Sequence, residues 1–158
     1  MVTMRYAWAA AAFIVTVGCA KDERSELRAA LNSDKPHRVS RISGHVSDAS
    51  GVRVLAGPIS ATPAWSREFD KLVTEILDSD KLELPACDPI PGVKVTIGEK
   101  DAVETELLIC FECSLMLTTD SKGAQYPLVF TQQRSEVGRL IMEMFPDDEE
   151  LAKVIARK

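Results

Sequence analysis

From Trp65 to Leu77 the apolar residues Trp65, Phe69, Leu72, Val73, Ile76 and Leu77 recur three and four apart, the period of one helix face. Thr62 offers a capping hydroxyl and Pro63 suits the first helical position, so the pattern predicts an amphipathic helix over Pro63 to Ser79 whose stripe is core. The period then drops to two. Val93, Val95 and Ile97 alternate with Lys94 and Thr96, and a longer strand is predicted from Val103 to Glu112. In that strand Val103, Thr105, Leu107, Ile109 and Phe111 share one face, and Cys110 lies on the other. A strand begins at Leu115 to Leu117, turns at Asp120 to Gly123, and returns from Tyr126 to Phe130, with Pro127 favouring a sheet edge. The helical period resumes in Val137, Leu140, Ile141 and Met144. Phe145-Pro146 breaks it, and a second short helix follows with Asp147 as cap and Leu151, Val154 and Ile155 inward.

The first part of the chain is less regular. Lys21 to Ser50 is rich in charge and carries no sustained period, which reads as a tether with one short helical stretch, Glu23 to Leu31. Lys35, Arg38, Arg41 and Arg53 make it locally basic. Val46, then Asp48 to Gly51, then Val52 and Val54 suggest a hairpin. Together the elements predict an α+β domain over 44–158: an antiparallel sheet of about five strands, with one long helix and two C-terminal helices packed on one face.

Ahead of that domain, Arg5 precedes an unbroken apolar stretch from Tyr6 to Val17, then Gly18 and Cys19. About twelve residues rise only ~18 Å as a helix, short of the ~20 residues needed to cross a bilayer. The pattern is that of an export signal. Val15-Thr16-Val17-Gly18-Cys19 resembles the lipobox of bacterial lipoproteins, with Thr16 where that family usually carries Leu, Val or Ile. The resemblance implies a signal peptide over 1–18, a diacylglyceryl group on the Cys19 thiol, and palmitate-type acyl chains holding the mature protein on a membrane through a polar tether over 19–43. Two or three such chains hold firmly where one is marginal. Ala20, in place of Asp, is similar to the pattern sorted to the outer membrane in Gram-negative cells, facing the periplasm.

This division changes the composition. Of 158 residues, 46% are hydrophobic; without the first 18 the fraction falls to about 41%, an ordinary globular value. The net charge is −5, becoming about −6 once Arg5 is removed. An acidic chain of this kind argues against a nucleic-acid binder.

Three cysteines remain for the mature domain: Cys87, Cys110 and Cys113. In an oxidising compartment they permit one internal disulfide, from Cys87 in the proline-rich turn to Cys110 or Cys113, with the third thiol buried or free. Cys110-Phe111-Glu112-Cys113 has the spacing of a redox pair. Such pairs usually open a helix that lowers the thiol pKa, and here the continuation reads as strand, with Glu112 between the thiols and Glu106 on the same strand face as Cys110. An alternative is a thiol-based zinc or Cu(I) site using Cys87, Cys110, Cys113 and Met116; His37 and His45 both fall in the irregular front half. Ser43, His45, Ser47 and Asp48 contain the residue types of a hydrolytic triad but no further partner signal. The acidic run Asp147 to Glu150 is accounted for by a helix N-terminus.

Cys87-Asp88-Pro89, Leu107 to Cys113 and Phe145-Pro146-Asp147-Asp148 resemble a scattered set of uncharacterised bacterial proteins that share a Cys-Phe-x-Cys motif and a closing helix. The resemblance covers about Leu84 to Ala156 and implies a recurring module with linked cysteines, bringing no catalytic residue or cofactor. The expectation is a lipid-anchored, non-enzymatic envelope protein with a cysteine staple, whose partners are the membrane and an envelope protein or cell-wall polymer.

Overall fold

The computed structural model describes residues 21–44, 52–79, 86–87, 90–99, 105–119 and 125–157. The chain is α+β, with a six-stranded antiparallel sheet and four helices among the described residues. Helix α1 (Lys21–Leu31) leads into β1 (His37–Ser43) and β2 (Arg53–Ser60), followed by α2 (Pro63–Asp78). Strands β3 (Val93–Ile97), β4 (Thr105–Cys110), β5 (Leu115–Thr119) and β6 (Gln125–Val129) form a meander, and α3 (Arg134–Met144) and α4 (Glu149–Ala156) close the fold. The strand order is β2-β1-β3-β4-β5-β6. The one departure from neighbour-to-neighbour connection is thus the α2 crossover, which carries the chain from the β2 edge past β1 to β3.

The expected α+β antiparallel sheet is present, with six strands where about five were expected. One expectation needs correction: the folded part does not begin at Gly44. Residues 21–43, expected as a tether, form α1 and β1, and β1 is an interior strand between β2 and β3. Its polar residues hid a period of two: His37, Val39 and Arg41 pair with Ile97, Val95 and Val93, and all three are buried. Likewise α1 survives despite its shortness because Leu27, Ala30 and Leu31 enter the main core, tertiary burial supplying what eleven residues lack alone. Of the expected hairpin, Val46 and the 48–51 turn lie outside the described residues, and its second arm falls on β2, which runs antiparallel to β1; the 120–123 turn and Val103 also lie outside the described residues.

The core matches the periodicity closely. The helix α2 buries Trp65, Phe69, Leu72, Val73, Ile76 and Leu77, and the Thr62 side chain accepts from the Trp65 N–H. Trp65 stacks on Phe69 at 4.9 Å and donates its indole N–H to the Leu140 carbonyl of α3 at 2.8 Å, satisfying the one polar atom it buries. From the sheet come Val93, Val95, Ile97, Leu107, Ile109, Met116 and Leu128, all in this one cluster. Pro127 sits in the β6 edge strand, where a missing N–H does least harm.

One core position is imperfect. The Thr118 hydroxyl is buried without a hydrogen-bond partner, opposite Leu107 and Tyr126 in the register. An unpaired buried hydroxyl costs on the order of 1–3 kcal/mol. Thr118→Val keeps the shape and removes the penalty, so it should raise stability by about 1 kcal/mol in urea denaturation; a loss of stability would show that the hydroxyl is bonded.

Candidate functional site

At one end of the sheet, the end of β1, the middle of β2, the loop before β3, the β4–β5 turn and α4 enclose a groove of about 170 Å³. Its centre is Arg41, buried although charged. The guanidinium Nε donates to Asp148 Oδ2 at 2.9 Å, and Nη1 donates to the carbonyls of Ile42 and Gly92, both at 2.8 Å. Glu150 lies farther out, 3.9 Å from Nη2. A buried charge is tolerated only when paired and hydrogen-bonded, and Arg41 is both. It fastens the start of α4 to the sheet.

Asp148 answers from the other side. It is the N-cap of α4, one residue later than the Asp147 expected from sequence, and its Oδ1 accepts from the Leu151 N–H at 2.8 Å. Burial by itself would raise its carboxyl, but the hydrogen bonds from Leu151 and Arg41, and the Arg41 charge, outweigh it and hold it below the ordinary aspartate range. A depressed carboxyl contributes stability that is complete above its unfolded pKa and is lost as pH falls through the folded one. Asn caps a helix as well as Asp, so Asp148→Asn isolates the charge. It should cost about 2 kcal/mol at neutral pH, and the gap from the native protein should begin to narrow below about pH 4 and close once pH falls through the lowered folded value. A gap independent of pH would show that the carboxylate charge plays no part.

The remaining walls are mostly apolar. Ile42, Phe111 and Leu151 are buried, Leu55 and Ile90 are exposed, and Pro91 and Val154 join them, with Ser43 and Glu112 as polar members. Two of these walls adjoin the cysteines. Cys87 and Cys113 form a disulfide pair with Cα atoms 6.2 Å apart, within the usual bridging range. Ile90 follows Cys87 by three residues, and Phe111 and Glu112 immediately precede Cys113. Of the two pairings left open by the sequence, the structure therefore adopts Cys87 with Cys113. Cys110 is free and buried; it packs with Cys113 and Leu115 in a small cluster separate from the main core, on the face expected for it.

The alternative metal set is not gathered at one point. Met116 pairs with Ile109 and belongs to the main core, whereas Cys110 pairs with Leu115, so the two side chains leave the sheet on opposite faces. Among the described residues no group of three His, Cys, Asp or Glu is placed to hold a metal. Cys19, and the triad residue types His45, Ser47 and Asp48, lie outside the described residues.

His37, expected in an irregular segment, is instead part of the core. Its Nε2 is 2.7 Å from Asp70 Oδ1 and its Nδ1 is 3.1 Å from the Lys35 carbonyl, with Trp65 and Phe69 edge-on to the ring. This pair joins the start of β1 to α2, beside a second cavity of about 280 Å³ lined by Ser33, Lys35, Ser66 and Arg67 among others. Sequence reading passed over Arg41, His37 and Asp70. The available signal was the alternation of His37 and Arg41 with Val39, since a charged residue on the inward face of a strand demands a partner.

Compared with family models, curated proteins and solved structures, the chain matches none.

Proposed function

We propose that this chain is a lipid-anchored lipoprotein of the bacterial cell envelope whose folded domain is a non-enzymatic binding module. The observation that carries the reading is the Cys87–Cys113 pair at disulfide distance. Such bonds persist in oxidising, exported compartments, to which Arg5, the apolar stretch Tyr6–Val17 and Cys19 would deliver the chain. The groove supports a binding role over a catalytic one: its most buried charge, Arg41, is spent on Asp148 and two backbone carbonyls and holds the fold together. Cys19 would carry the acyl chains, and Ala20 would direct the product to the outer membrane of a Gram-negative cell, facing the periplasm.

The test is Cys19→Ser followed by membrane fractionation and detergent-phase partitioning. The native chain should be in the membrane fraction and carry the added mass of its acyl groups; the variant should lack that mass and lose its partitioning as a mature lipoprotein. Native chain without acyl mass, or a variant that partitions unchanged, would end the anchor reading.

A further inference from the structure

The stretch expected to be a tether is folded, and this limits how far the domain can stand from its anchor. Helix α1 begins at Lys21, two residues after Cys19. Two residues span at most about 7 Å whatever path they take, whereas a flexible tether of about 25 residues would give the domain an r.m.s. reach of roughly 25–30 Å. Nor does a loose joint follow α1. Leu27, Ala30 and Leu31 are buried in the main core, and Arg28 pairs with Asp78 of α2. Past the helix, the Ser33 hydroxyl donates to the Ala30 carbonyl and the Pro36 carbonyl accepts from the Gly98 N–H, so the link into β1, an interior strand, is itself tied down.

The direction of α1 decides which end of the fold is nearest the anchor. Arg28 meets Asp78, the last residue of α2. Farther along the chain, Lys35 shares the second cavity with Pro63, Ser66 and Arg67 at the start of α2, and His37 meets Asp70. As the chain advances from α1 into β1, its partners lie earlier on α2, so the two helices run antiparallel. The first turn of α1 therefore lies at the end of the fold that holds the last turn of α2. The first turn of α2 is at the opposite end, on the order of 20 Å away along its axis. Charge does not oppose a lipid surface at the α1 end: Lys21, Arg24 and Arg28 offset Asp22, Glu23 and Glu26 within the helix, although the whole chain is at −5.

We propose that the lipid headgroup surface is the partner of this end of the fold: α1 is a strut that seats its own first turn and the last turn of α2 against the bilayer that takes the Cys19 acyl chains. The first turn of α2 and the second cavity are turned away from the membrane. A domain seated in this way does not swing outward, so whatever binds it does so at the membrane surface.

The proposal rests on the acylation of Cys19, and its test separates the two. The acylated mature chain is placed in phosphatidylethanolamine–phosphatidylglycerol vesicles that contain a lipid with a nitroxide headgroup, which quenches only nearby fluorophores. Ser25 on α1 and Ala64 in the first turn of α2 are both exposed, so Ser25→Cys and Ala64→Cys carry a fluorophore without disturbing the core. The Ser25 label should be quenched roughly threefold more strongly than the Ala64 label, given a separation on the order of the α2 length. A Gly-Ser insertion of about 20 residues between Ala20 and Lys21, with a reach of roughly 25 Å, should bring quenching at Ser25 down to the level at Ala64 while acyl mass and membrane partitioning stay unchanged. Equal quenching of the two labels without the insertion, or an insertion that leaves Ser25 quenched as before, would overturn the strut and leave the anchor standing. A chain without acyl mass, quenched at neither site, would remove the anchor reading and the strut with it.

Discussion

Arg134→Ala lowers the stability of the domain by about 2–3 kcal/mol, the cost of removing a charged donor shared among several carbonyls rather than a surface contact. The side chain leaves the first turn of α3 and gathers carbonyls from two other elements. One guanidinium nitrogen donates to the Phe111 carbonyl and to Ser114 Oγ. The other donates to the carbonyls of Val154, Ile155 and Arg157 at 3.1, 3.2 and 2.6 Å. The last three are at the end of α4, where terminal carbonyls have no partner within the helix, and a cation there also meets the negative end of the dipole. The first two hold the β4–β5 turn, in which Ser114 takes a left-handed φ of 51°, a conformation disfavoured for a residue with a Cβ. The guanidinium also lies 5.8 Å from the centre of the Phe111 ring. Its fork geometry, with five N–H donors, is what allows one side chain to serve two elements. Arg134→Lys keeps the charge but places it at a single point, and should recover less than half of the loss. Urea denaturation of the three proteins settles the matter: a change below about 1 kcal/mol for the Ala variant would mean that α4 is fastened by Arg41 and Leu151 alone.

Arg134 also shows where sequence reading stops. The elements that depend on periodicity were legible: α2 and its six buried residues, the β3 to β6 meander, the off-core face of Cys110, and the edge position of Pro127 all follow from spacing. What spacing could not supply is polar satisfaction across the chain. Arg134 reaches residues 20 to 23 positions away, and Arg41 reaches Asp148, 107 positions away. No local pattern distinguishes these from surface arginines. The same blindness made β1 look like a tether, because His37 and Arg41 read as solvent-facing until Asp70 and Asp148 are seen to partner them inside. The cysteines were legible as a staple but not as a particular pair, since Cys110 and Cys113 are three residues apart and pack in one cluster, and it is the β4–β5 turn that brings Cys113 to the proline loop. The groove was invisible for a related reason: its walls come from five elements, and Leu55 and Ile90 each look like an unremarkable apolar residue beside a turn.

Removing the Cys87–Cys113 bond should cost about 3.5 kcal/mol, the loop-closure term for a cross-link between residues separated by 26 positions. The route of removal matters, because the two ends differ in environment. Cys87 is exposed and Cys113 is buried. Cys87→Ser therefore puts its new hydroxyl in water and reports the bond itself. Cys113→Ser adds a hydroxyl to the small apolar cluster with Cys110 and Leu115, and should be the worse of the two by about 1–2 kcal/mol. Cys110→Ser carries the second penalty without the first: it buries a hydroxyl and leaves the bond intact. Thiol reactivity gives an independent reading. With Cys19 acylated, the oxidised folded protein should expose no reactive thiol, denaturation should reveal one, and denaturation with reductant should reveal three. Three thiols reacting in the air-exposed native protein would sink the staple. The reductant also separates bond from side chain: it should lower the stability of the native protein to roughly that of Cys87→Ser and leave that variant unchanged. The loop from Cys87 to Gly92 supplies both the Ile90 wall of the groove and the Gly92 carbonyl that Arg41 binds. Loss of the bond should therefore be felt at Asp148 as well, and the acid sensitivity assigned to that carboxylate should weaken in Cys87→Ser as the loop loses its hold on Arg41.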